Sequence, residues 1–266
     1  HPVVSGNKWF KLRFYIEEAL RLEKKMLLTF GGAYSNHIVA TAAAAQMAGL
    51  KSLGIIRGEK PSGLSPTLNA AISYGMQLFF ISREAYSRKE IPAQVKDEFD
   101  ASELHLIHEG GYGLKGMQGA QYILKETDTT SYSHIVAAVG TGTMLAGLVN
   151  AAKPAQHVIG ISVLKNNFSI ETAINHLLPS PAPRYVLNHE YHFGGYAKST
   201  PALFDFMNQW YQEHRIPSDF VYTAKLFYAV DDLLKTGHFP SGSKLLVIHS
   251  GGLQGNSALQ KGKLIF

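Results

Sequence analysis

Three short runs in the second half of the chain, Ile135–Val139, Val158–Val163 and Leu245–Ile248, are apolar without alternation. A strand with one wet face alternates apolar and polar residues. A run that does not alternate is buried on both faces, and such strands belong to parallel sheets covered by helices. The first half has the same rhythm. Met26–Phe30 ends in Gly31-Gly32 and is followed by an alanine-rich helical stretch, Asn36–Ala48, which Gly49 stops. Ser52–Ile56 is the next strand; Ser65-Pro66, an N-cap with proline at the first helical position, then opens a helix to about Tyr74. Leu78–Ile81 and Leu104–Ile107 are two further strands. Four strand–helix units precede about residue 112 and a second set follows. The expected fold is therefore α/β, with two lobes, each a largely parallel sheet with helices on both faces, and a cleft between them. In such sheets ligands are met at the C-terminal ends of strands.

The 266 residues, 45% of them hydrophobic, supply core enough for one large or two smaller domains. There is no cysteine, which excludes disulfides and thiolate metal sites and fits a reducing compartment; a cytoplasmic location is expected. No apolar run reaches the roughly 18 residues that span a bilayer, so no membrane partner is expected. The net charge of +5 is dispersed, with Lys24-Lys25 and Lys261-Gly-Lys263 as its densest pairs, which argues against a nucleic-acid partner. The sequence opens on His1-Pro2 without an initiator Met, so a leading segment, with any targeting signal in it, is expected upstream.

Four stretches carry the chemistry. Near the start, Lys8 and Lys11 follow a Ser-Gly-Asn turn and lie three apart, on one face of a helix. In Gly31-Gly32-Ala33-Tyr34-Ser35-Asn36-His37 a strand ends and a helix begins with three hydrogen-bonding side chains, a good seat for a carboxylate; the plainer alternative is capping by Ser35 or Asn36. Mid-chain, Ile135–Val139 runs into Gly140-Thr141-Gly142-Thr143-Met144. Its glycines, hydroxyls and helix N-terminus suit a phosphate, without the spacing of a Walker A or dinucleotide loop. No Asp or Glu lies between Gly147 and Glu171, so the acid that a nicotinamide dehydrogenase needs for ribose is missing. Towards the end, Tyr222-Thr223 precedes an apolar helix, where capping by Thr223 and packing of Tyr222 are the plain alternative, and Leu245–Ile248 ends at His249-Ser250-Gly251-Gly252. His189 and His192 lack the spacing of a metal-binding pair, so no metal is expected. A reactive lysine, a phosphate cradle and a carboxylate seat together fit an aldehyde cofactor bearing phosphate, pyridoxal 5′-phosphate, joined to lysine as a Schiff base. A non-catalytic two-lobed binder of phosphorylated ligands is the alternative from another class, and it has no need of Lys8.

Six stretches in order resemble the 1-aminocyclopropane-1-carboxylate deaminase / D-cysteine desulfhydrase family, which has the tryptophan-synthase-β type of pyridoxal-phosphate fold (fold type II). They are Gly6-Asn7-Lys8 with Lys11-Leu12, Gly31-Gly32 with Ser35-Asn36-His37, Gly140–Gly147, Gly195-Tyr196, Val221-Tyr222-Thr223 and His249–Gly252. The resemblance implies a small domain over residues 12–112, a large cofactor-binding domain from 1–11 and 113–266, and a homodimer. It implies that Lys8 is the Schiff-base lysine, supported by Asn7, and that Lys11 and Gly140, Thr141, Gly142, Thr143 and Met144 hold the phosphate. Asn36 would meet the ring hydroxyl and Thr223 the ring nitrogen. Ser35, Asn36 and His37 would hold the substrate carboxylate. Tyr196, Tyr222 and Ser250 would face the substrate, with Ser35 and both tyrosines among the catalytic residues. D-cysteine desulfhydrases carry Thr both after the second tyrosine and before the final Gly-Gly, where ring-opening members carry Glu and Leu; this chain has a hydroxyl at both, Thr223 and Ser250. Thr223 and Ser250 thus imply β-elimination from D-cysteine, with ring opening of the cyclopropane as the alternative. Two departures stand out: Gly110-Gly111-Tyr112-Gly113 where the family often has Gly-Gly-x-Asn, and Gly195-Tyr196-Ala197 where Gly-Tyr-Gly is usual.

Overall fold

A computed structural model describes residues 3–180 and 185–266; His1 and Pro2 lie outside them. The chain divides into two compact units, His1–Gly116 and Met117–Phe266.

The first unit contains α1 (Asn7–Arg21), β1 (Met26–Gly31), α2 (Asn36–Met47), β2 (Lys51–Arg57), α3 (Pro66–Ser73), β3 (Met76–Ile81), α4 (Arg83–Ser87), α5 (Ala93–Glu98) and β4 (Leu104–Ile107). α6 (Leu114–Lys125) spans the boundary. The second unit continues with β5 (His134–Val139), α7 (Thr143–Ala151), β6 (His157–Ser162), α8 (Ser169–Asn175), β7 (Val186–Asn188), α9 (Pro201–His214), α10 (Thr223–Lys235) and β8 (Leu245–Ile248).

Both sheets have four strands, ordered β3-β2-β1-β4 and β7-β6-β5-β8, and every pairing is parallel. This is the architecture expected from the non-alternating runs. All six residues of β1 are buried, as are Ile135 to Val139 of β5, which explains why neither run alternates. Strand ends follow pairing rather than hydropathy. β3 begins at Met76, opposite Ser52, two residues before its apolar run, and the run Val158–Val163 is paired as His157–Ser162.

Helices are punctuated as their sequences dictate. Ser65 caps α3, its Oγ accepting from Leu68 N at 3.2 Å with Pro66 in the first turn. Thr200 does the same for α9 with Pro201 behind it. α2 is buried from His37 to Ala45 because its alanines let it lie close on the sheet and against Leu12, Tyr15 and Ala19 of α1. Each core Leu, Ile or Phe buried this way contributes roughly 1.5–3 kcal/mol. No helix among the described residues is long and apolar enough to cross a membrane.

Each sheet reverses its strand order at one place: beside β1, which has β2 on one flank and β4 on the other, and beside β5, flanked by β6 and β8. In an open parallel sheet that reversal opens a crevice at the strands' C-terminal ends. The segments that leave there are Gly31–His37 and His108–Gly113 in the first unit, and Gly140–Met144 and His249–Gly252 in the second. Three of the sequence motifs are thereby put where a ligand belongs, with the Gly110–Gly113 departure beside one of them.

Candidate active site

In the first unit the polar groups gather around α1 and the end of β1. Gly6 has φ 55° and ψ −134°, a conformation open to glycine and little else. It turns the chain into α1 so that Asn7 and Lys8 form its first turn. Lys8 Nζ donates to Asn7 Oδ1 at 3.0 Å. Lys11, one turn further on the same face, is only 2% exposed. Burial, and then the charge of Lys8, hold the Lys11 ammonium well below its ordinary range. A bound anion would reverse both effects. Gly111, at φ 70°, packs here because a Cβ would lie 3.4 Å from Lys11 Cε and 3.7 Å from His37 Cε1.

His37 reads out its own tautomer. The Thr29 hydroxyl donates its one proton to Ile107 O at 2.8 Å, so His37 Nε2, also 2.8 Å from that oxygen, must be the donor. Nδ1 is then an acceptor, and it is buried without a hydrogen-bond partner among the described residues. Burial, with the Lys8 and Lys11 charges next, pulls the imidazole well below its ordinary value, so the ring is neutral. Capping does not explain Ser35: it occupies the N-cap of α2 yet makes no side-chain cap bond. The Ser35 hydroxyl thus stands at the N-terminus of α2 without capping it, an arrangement that fits an oxyanion.

In the second unit the loop Gly140–Met144 leads β5 into α7. Gly142 is left-handed (φ 79°), and a Cβ there would lie 2.6 Å from Ile174 Cγ1. Gly140 admits the Tyr222 ring, whose Cε1 would be 3.1 Å from a Cβ. No side chain caps α7, and the Thr141 and Thr143 hydroxyls lie 3.2 Å apart at its mouth. Uncapped amides, paired hydroxyls and two glycines that a side chain could not replace fit a phosphate group. Tyr196 and Tyr222 stack edge to face, their centroids 6.2 Å apart. The loop and both tyrosines, some 80 residues apart at the extremes, are thus one assembly within this unit.

Sequence reasoning missed what holds Tyr222 and Thr223. Asp219, fully buried, accepts from Val221 N (2.9 Å) and Tyr222 N (2.8 Å) through Oδ1. Through Oδ2 it accepts from Thr223 N (3.0 Å) and the Thr223 hydroxyl (2.7 Å). Burial pushes this carboxyl up against the pull of those donors. Thr223 therefore does not cap α10; its proton is spent on Asp219. His249 is a tie rather than an acid or base. Its Nε2 bonds Pro217 O at 2.9 Å and its Nδ1 accepts from Gly251 N at 3.2 Å, joining the Ser250 turn to the Asp219 segment. Asn256 adds a second tie, accepting from Phe220 N and donating to Ser218 O. His192 is likewise engaged, Nδ1 accepting from Gly194 N, and the His189 ring lies tilted against that of Phe168. Ala197, where the resemblance leads one to expect glycine, has a left-handed backbone (φ 53°). An Asp two to four residues before uncapped amides was the only signal that could have revealed Asp219.

Comparison with known proteins agrees with this chemistry. The model of the family described as "Pyridoxal-phosphate dependent enzyme" matches residues 1–251. The chain is similar to the bifunctional D-cysteine desulfhydrase/1-aminocyclopropane-1-carboxylate deaminase, mitochondrial, of Arabidopsis thaliana, at 28% identity over 95% of this chain and 70% of that one. It is similar to the D-cysteine desulfhydrase of Klebsiella pneumoniae, at 26% identity over 94% of this chain and 83% of that one. Among solved structures, a homologue of 1-aminocyclopropane-1-carboxylate deaminase superposes with a TM-score of 0.82 at 27% identity, over 95% of this chain and 82% of the other.

Proposed function

Because the chain belongs to the pyridoxal-phosphate dependent enzymes, we propose that it is a lyase for small amino acids that eliminates the β-substituent of D-cysteine or a close analogue. D-cysteine and water would yield pyruvate, ammonia and hydrogen sulfide. When bound, pyridoxal phosphate supplies an aldehyde for lysine and an electron-withdrawing ring that makes the substrate's Cα proton acidic.

The chain's own groups do the rest. Lys8 would hold the cofactor, and its amine would be the base for the substrate's Cα proton; Asn7 steadies it through the bond that Lys8 Nζ donates to its Oδ1. In the first unit Lys11 would serve the phosphate and Asn36 the ring hydroxyl; in the second, the amides of residues 140–144 would serve the phosphate. The Ser35 hydroxyl and the amides of Asn36 and His37 hold the substrate carboxylate. The His37 ring serves by position, since its donor is given to Thr29. Tyr196 and Tyr222 orient the substrate and move a proton to the departing group.

The observation that carries the choice of reaction is the pair of hydroxyl residues, Thr223 and Ser250. Thr223 offers the ring nitrogen no carboxylate, and its proton is committed to Asp219. The weaker electron sink that results suits a good leaving group such as thiolate. Ser250 is small and can hydrogen-bond a polar substituent that leucine would exclude. The 0.82 likeness to the deaminase homologue favours a second reading, opening of the ring of 1-aminocyclopropane-1-carboxylate to 2-oxobutanoate and ammonia.

Assaying both substrates side by side decides between them. Sulfide and pyruvate from D-cysteine, with little 2-oxobutanoate, are expected; a clear preference for the cyclopropane would promote the second reading. A homodimer in the cytoplasm belongs to the same proposal, and sedimentation and cell fractionation test it.

A further inference from the structure

Lys225 is fully buried in α10, and no step above uses it. Its ammonium donates to two main-chain oxygens of one turn, His192 O at 2.9 Å and Gly195 O at 2.7 Å. That turn has an unusual backbone: Phe193, Gly194, Gly195 and Ala197 have φ of 50°, 90°, 114° and 53°. Two of these residues carry side chains, and the left-handed region costs an L-residue free energy wherever it is held. The run of positive φ turns the two carbonyls the same way, onto a single cation.

α10 and its N-cap residue Tyr222 grip the turn at three points, three residues apart. Tyr222 meets Tyr196 edge to face, Lys225 takes the two carbonyls, and Tyr228 meets the Phe193 ring edge to face at 4.9 Å. The charge has a counterpart in buried Asp219, which holds Tyr222 and Thr223 at the start of the same helix. Burial still pulls Lys225 down, to about 8. Among the described residues, both hydrogen bonds of this ammonium go to the one turn.

We infer that Lys225 is the positioning residue for Tyr196: its ammonium, seated on the carbonyls of His192 and Gly195, holds the strained turn that presents the phenol. The consequence for catalysis rests on the reading above that Tyr196 faces the substrate; the structural part does not.

Hydrogen exchange at Gly194, Gly195 and Lys198 reads the turn directly, since these amides bond to His192 Nδ1, His192 O and Gly195 O. It is measured in the full chain loaded with cofactor. Lys225→Met should speed exchange at these three amides by about tenfold or more, leaving β5 unchanged. Lys225→Ala should do the same, and methylammonium chloride should restore protection where sodium chloride of equal ionic strength does not. Ala197→Gly relieves one left-handed residue and should return part of the lost protection to Lys225→Ala; it also provides a background should Lys225→Met not fold. Unchanged exchange at the turn, or equal loosening of β5, overturns the assignment. Turnover separates the two readings. A loosened turn with normal turnover leaves the Lys225 assignment standing and removes Tyr196 from the substrate. A loosened turn with turnover reduced and rescued by methylammonium supports both.

Discussion

Asp219→Ala removes one carboxylate and orphans four donors, the amides of Val221, Tyr222 and Thr223 and the Thr223 hydroxyl. Each buried donor left without a partner costs about 1–3 kcal/mol. Tyr222 is only half-buried, so water can reach its amide, whereas Thr223 is fully buried and cannot be served that way. Against this stands relief. The carboxyl is pushed up by burial, so its removal also removes an uncomfortable charge. The balance is a loss of about 2–4 kcal/mol. For a chain of this size each kcal/mol moves the melting point by about 2–4 °C, so the variant should melt roughly 5–15 °C lower. Asp219→Asn keeps an oxygen for Val221 and Tyr222 but turns an amide towards the donors of Thr223, and should fall between. Urea denaturation of the three proteins measures this. An Asp219→Ala protein within about 0.5 kcal/mol of wild type would refute the reasoning, because a change of that size is what a featureless surface position gives.

Two more outcomes follow from the same geometry. Gly142→Ala forces a side chain into the left-handed region 2.6 Å from Ile174 Cγ1; it should cost about 1–3 kcal/mol in urea melts and weaken retention of pyridoxal phosphate on gel filtration. His37 is held well below its ordinary 6.5 in the fold, so below that pH the unfolded chain takes a proton that the folded chain refuses. Its contribution is present above pH 6.5 and is lost as pH falls, at up to about 1.4 kcal/mol per pH unit. Urea melts at pH 7 and about 5.5 should differ by more in wild type than in His37→Asn; equal differences would count against the buried neutral ring.

Much of the fold was legible because parallel strands buried on both faces have no room for alternation, and β1, β5 and β6 wrote that into the sequence; β8, expected to be buried likewise, is only half-buried, so its lack of alternation has another cause. The ligand-facing motifs were legible for a related reason: Gly31, Gly140 and Gly251 sit where strands end, and their neighbours carry hydrogen-bonding groups with no place in a core. What stayed hidden depends on partners far along the chain. Thr29 settles the tautomer of His37 only through Ile107, 78 residues away. Lys225 reads as a stray charge in an apolar helix until the carbonyls of His192 and Gly195, 33 and 30 residues earlier, converge on it. Phe193 and Ala197 give no sign of their left-handed backbone, since nothing local prefers it.

Lys8 is the amine proposed to carry the cofactor. Incubating the protein with pyridoxal 5′-phosphate, reducing it with borohydride and mapping the peptides tests that claim without any substrate. A single pyridoxyl label on Lys8, absent from Lys8→Ala, is the predicted result. A label on Lys11 or Lys225 instead, or no label on a protein that binds the cofactor, would contradict it.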